Sequence, residues 1–84
     1  MAFYVVRGCN GVIIKENYGS AVRCQNYIHK STIKKFDYFD LAERAALDHL
    51  TEIIPYYIPI PDHIEVNEMV TKARLDRARK EVVE

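Results

Sequence analysis

The stretch from Phe3 to Lys15, FYVVRGCNGVIIK, does most to limit what this chain can become. Valines, isoleucines and aromatics crowd either side of a short break, and such residues fit a pleated surface. The break, Gly8-Cys9-Asn10-Gly11, holds two glycines and an asparagine able to take positive φ. FYVVR and VIIK therefore read as two strands of an antiparallel hairpin.

ENYGS, from Glu16 to Ser20, breaks the strand pattern. Ser20, or Gly19 before it, is placed to cap a helix running to about Tyr27 or His29, with Ala21, Cys24 and Ile28 as its inner stripe. STIKKF then reads as a third strand, beside the first strand of the hairpin. Lys34 and Lys35 are neighbours in it and point to opposite faces, so one of them faces the apolar side unless the strand is an edge. Asp37 is the expected cap of a second helix, and Asp40 suits that helix's positive end. The helix runs from Tyr38 or Phe39 to about Ile53. It aligns Phe39, Ala42, Ala46, Leu50 and Ile53 on one side, with Leu47 and Ile54 flanking.

Pro55, Pro59 and Pro61 fix φ and remove donors, so the segment they occupy is extended and not a central strand. Asp62-x-x-Glu65 has the form of a capping box and predicts a last helix from about His63 to Arg79 or beyond. Val66, Met69, Val70 and Ala73 form its apolar stripe, and Glu68–Lys72 and Asp76–Lys80 are i, i+4 pairs. The expected fold is α+β. Residues 1–54 form a three-stranded antiparallel sheet packed by two helices, in the order ββαβα. A Pro- and Tyr-rich extended connector covers 55–61, and an amphipathic helix covers 62–84.

A chain of 84 residues, 49% apolar and 29% charged, reads as one soluble globular domain. No apolar run approaches the roughly 18 residues of a membrane span, so no membrane partner is expected. The start, MAFYVVRG, lacks the features of a signal peptide, which makes the cytoplasm the expected location. Cys9 and Cys24 are not a C-x-x-C pair and read as reduced thiols. His29, His49 and His63 show no ligand spacing with each other or with the cysteines, so neither a metal nor another cofactor is expected. Zero net charge hides an asymmetry: residues 1–36 hold six Lys/Arg and one acid, whereas residues 37–84 hold six and eleven. The first half is suited to face an anionic partner.

FYVVRGCNGVI, an aromatic opening a short helix, and IKKFDYFDLAERAAL together resemble the amino-terminal hybrid-binding domain of ribonuclease H enzymes, a fold shared with caulimovirus viroplasmin. The resemblance covers about the first 50 residues. It implies a module that grips an RNA–DNA hybrid across its minor groove, with two aromatics packed on a sugar and lysines on phosphates. Carried onto this chain, the helix aromatic falls on Tyr18, the strand aromatic on Ile33, and the lysines on Lys34 and Lys35. Ile33 departs from the family's aromatic, and Ser20 and Ala21 replace the usual glutamate and cysteine of the first helix.

Arg23, His29 and Lys30 lie close in sequence to Lys34 and Lys35, and together they read as a basic patch, or as lysine protection of an edge strand. Asp37, Asp40, Glu43 and Asp48 are spaced to cap and solvate a helix, not to move a proton. No Gly-rich phosphate loop or nucleophile elbow is present, and the chain is not expected to be an enzyme. Tyr56, Tyr57, Ile58 and Ile60 on the stiff connector, with Val66, Met69, Val70 and Ala73 on the last helix, offer a partner-binding surface. The leading expectation is a non-catalytic module that binds a larger protein and modulates its activity, by analogy a virus- or phage-encoded regulator, with the last helix able to pair two copies. The alternative is binding of RNA–DNA hybrid or other duplex nucleic acid through Tyr18, Arg23, Lys30, Ile33, Lys34 and Lys35.

Overall fold

Val5, Val6, Val12, Ile13 and Ile14 are all buried, so the hairpin is covered on both faces and shows no clean apolar–polar alternation. The computed structural model describes residues 1–58, 64–75 and 77. The elements run β1 (Phe3–Gly8), β2 (Gly11–Lys15), α1 (Tyr18–Cys24), β3 (Thr32–Phe36), α2 (Phe39–Ile53) and β4 (Val70–Thr71). This is a small α+β protein with an antiparallel sheet. The sheet has four strands, ordered β3-β1-β2-β4, and not the expected three.

Registers assign each side chain to a face. β1 pairs with β2 through Tyr4↔Lys15, Val5↔Ile14 and Val6↔Ile13, and with β3 through Phe3↔Phe36, Tyr4↔Lys35 and Val5↔Lys34. Directly opposed residues share a face. On one face Phe3, Val5, Val12 and Ile14 pack with Ala42, Ala46 and Leu50 of α2. On the other, Val6 and Ile13 pack with Ala21 and Cys24 of α1 and with Ile28 beyond it. The small alanines bring α2 close to the sheet, and an edge-to-face pair, Phe3 on Phe39, closes that layer at 5.6 Å.

The hairpin turn departs from expectation. Positive φ occurs at Lys30 and Asn67 and at no glycine, so neither Cys9 nor Asn10 takes it. The glycines are required by close approach instead. A Cβ on Gly8 would run into the His29 carbonyl, and one on Gly11 would lie 2.7 Å from the Val70 carbonyl. The turn is tied down by side chains: the His29 N–H donates to Asn10 Oδ1 at 3.0 Å, and the His49 ring donates to the Gly8 carbonyl.

Both helix caps differ from those expected. Asn17, not Ser20 or Gly19, caps α1, its Oδ1 accepting from the Ser20 N–H at 3.1 Å. The helix ends at Cys24, with turns continuing to Tyr27. At α2 the cap position is Tyr38, with no side-chain hydrogen bond, so Asp37 does not fill that role; Asp40 does sit in the first turn.

The largest correction lies after the prolines. Pro59 to His63, including the Asp62 end of the expected capping box, lie outside the described residues. Ile64 to Met69 are not helical. Val66 bridges Ile14, the Asn67 N–H donates to the Ile14 carbonyl at 2.6 Å, and Val70 pairs with Val12 in β4. Helix begins only at residues 72–75, where Thr71 Oγ1 accepts from the Arg74 N–H at 3.1 Å. The reason is hydrophobic: Ile64 and Val70 are buried in the α2-side core, and Val66 packs against it. Glu68 pairs with Arg74, not with Lys72.

Candidate functional site

Alternation along β3 separates the two lysines. Lys34 lies opposite Val5, on the α2 side, with its Nζ 5.5 Å from the centroid of the Phe36 ring. Lys35 lies opposite Tyr4, on the α1 side. β3 is an edge strand of the described sheet, and both lysines are exposed. One cation at the rim of each face is the arrangement that an edge tolerates and a central strand would not.

The α1 side then gathers a set of residues. Tyr4 is opposed by Lys35 on β3 and by Lys15 on β2, so Lys15, Tyr4 and Lys35 form one row across three strands. Tyr18, at the start of α1, meets Tyr4 edge-to-face at 5.5 Å and remains 58% exposed. Ile33 lies two residues from Lys35 on the same face, opposite Val6, and packs half-buried against the α1-side core. Tyr18, Ile33 and Lys35 are therefore brought together, and Lys34 is not. Arg23 is exposed on α1, its guanidinium donating to Ser20 Oγ at 3.2 Å. Lys30 is exposed in the turn before β3 at φ 52°.

Tyr4 and Lys15 were missed by motif and proximity reasoning. The signal was present: counting pairs outward from the hairpin turn puts Lys15 opposite Tyr4. Neither Lys15 nor Lys35 has an ion-pair partner among the described residues, where Arg74 pairs with Glu68. Beside this face, Tyr27 donates its hydroxyl to Cys24 Sγ at 3.1 Å, and that bond, with a smaller contribution from burial, raises the phenol above its ordinary pKa.

The residues expected to bind a protein partner scatter. Val70 is 1% exposed, Val66 and Tyr57 pack against the α2-side core, and Met69 packs against the α1-side one. Val66, Met69 and Val70 are not helical, so they do not form one helix face with Ala73. Ala73 and Tyr56 are exposed, Ile58 is 71% exposed, and Ile60 lies outside the described residues.

Among the described residues no His, Cys, Asp and Glu side chains gather as a metal-binding group of three or more, and no helix is long and apolar enough to cross a membrane. Lysines beside an aromatic pair are chemically suited to meet anionic groups and to stack on flat or sugar rings. No protein-family model, curated protein or solved structure matches this chain.

Proposed function

We propose that the chain is a non-catalytic module, acting in the cytoplasm, that grips duplex nucleic acid, an RNA–DNA hybrid first of all, through the α1 side of its sheet. One observation carries the reading: Tyr18 and Lys35, distant in sequence and both exposed, converge on the half-buried Tyr4. The resemblance of about the first 50 residues to a hybrid-binding unit points the same way, and Val70–Thr71 add a fourth strand beside that stretch. Aromatic faces pack on sugars or bases without reading sequence, and lysines neutralise phosphates.

The test is binding of a short labelled RNA–DNA hybrid at low salt, beside double-stranded RNA and DNA. Tyr18→Ala is expected to weaken binding by about 1–3 kcal/mol, the range for a lost aromatic platform. No detectable binding to any of the three duplexes would remove this reading.

Binding of a larger protein stands second, because Tyr38 at 70%, Leu41 at 52% and Ile58 leave large apolar surface uncovered. A modulated protein partner lost on Ile58→Asp, with hybrid binding absent, would move it to first place.

A further inference from the structure

We infer that the cations which hold a nucleic-acid backbone on this face are Lys15 and Lys35, with Lys34 taking no part, and that they seat phosphates of one strand on either side of a sugar packed against Tyr4. The inference rests on the nucleic-acid reading above and deepens it.

Register is the first support. Lys15 and Lys35 both lie directly opposite Tyr4, one on each neighbouring strand, so all three project from the same face in one row. Lys34 projects from the other face, where its ammonium lies near the Phe36 ring. A backbone lying on Tyr4 and Tyr18 is out of its line.

Spacing is the second. Two inter-strand steps separate Lys15 from Lys35, about 10 Å at the usual strand separation. That length along a duplex axis spans about three nucleotide steps of one strand, at roughly 3.4 Å each. Two lysines so placed meet phosphates flanking a central sugar, and the bound strand crosses β3, β1 and β2 instead of running along the edge.

Availability is the third. Lys35 is exposed and Lys15 half-buried, and neither is engaged by a carboxylate among the described residues. The nearest acids in sequence, Glu16 to Lys15 and Asp37 to Lys35, lie beyond the ends of β2 and β3.

The experiment is the salt dependence of hybrid binding, read by fluorescence anisotropy on the full chain and on Lys15→Gln, Lys34→Gln, Lys35→Gln and Lys15→Arg. Each lost phosphate contact lowers the slope of log K against log salt by about 0.9. Lys15→Gln and Lys35→Gln are each expected to lose that amount, Lys34→Gln to keep the parent slope, and Lys15→Arg to restore it. A parent slope in Lys15→Gln, a slope in Lys34→Gln as low as that of Lys35→Gln, or failure of Lys15→Arg to restore the slope would each overturn the inference and leave the nucleic-acid reading standing. No binding by the parent chain would end both.

Discussion

Gly8 shows how a residue can be required for a reason other than backbone freedom. It closes the β1–β2 ladder opposite Gly11, without positive φ, and the His29 carbonyl passes where a Cβ would sit, with the Ile28 side chain beside it. The obstacle is a main-chain carbonyl, which a small rotamer change cannot move. Gly8→Ala is expected to cost about 1–3 kcal/mol, as overpacking does elsewhere, measured by urea unfolding. An unchanged midpoint would mean that the 28–29 turn yields freely. Tyr27 supplies a second prediction. Its folded pKa lies above its ordinary value of 10 because its hydroxyl donates to Cys24 Sγ, with burial a smaller cause. A raised pKa favours the protonated form in the fold. The associated stability is thus fully present below the unfolded pKa and is lost as pH rises through the folded one. Ultraviolet titration should show one tyrosine ionising later than the rest, and Tyr27→Phe should remove that component.

At the scale of elements, Ile64 and Val70 test how the carboxy-terminal stretch is used. Both are buried against the sheet's α2 side, whereas Ala73 is exposed. Ile64→Ala is expected to cost about 2–5 kcal/mol, and Ala73→Ser to stay within about 0.5 kcal/mol. Comparable losses at both sites would restore the helix-stripe reading. The contrast also explains what was legible. FYVVR, VIIK and TIKKF are dense in β-branched and aromatic residues bounded by turn signals, and all three are strands. α2 was legible from a long helical stripe, and Phe39–Ile53 agrees with it to within a residue. IEVNEMV was ambiguous: Val66, Met69, Val70 and Ala73 have helical spacing, but Ile64 and Val66 also alternate with the polar Glu65 and Asn67 as a strand would. The ambiguity is settled by tertiary structure, because β2 needs a neighbour and its α2-side valine and isoleucine need cover. No local propensity carries that information. The site divides the same way. Tyr18, Ile33 and Lys35 came from the resemblance to a hybrid-binding domain, whereas Tyr4 and Lys15 join them only through strand pairing.

Over the whole molecule, zero net charge conceals two sides of opposite character. The α1 side presents Lys15 and Lys35 around the tyrosine pair. α2, across the sheet, carries Asp40, Glu43, Asp48 and Glu52 against Arg44 alone. A polyanion is attracted to the first side and repelled by the second, so neutrality orients the protein instead of preventing binding. At physiological salt the Debye length of about 8 Å is shorter than the helix-to-sheet layer spacing of about 10 Å, and the acids on the outer surface of α2 lie farther off still, so the lysine row acts locally. At low salt both sides are felt, and orientation sharpens. Amide shift mapping with the hybrid should therefore be one-sided. Signals from Tyr4, Lys15, Tyr18, Ile33 and Lys35 are expected to move, while those of Leu41, Arg44 and Asp48 on exposed positions of α2 stay in place. Shifts concentrated on Tyr38 and Leu41 would place the contact on the acidic side, where no phosphate backbone is favoured. That outcome would leave recognition of another protein as the function of the exposed apolar surface.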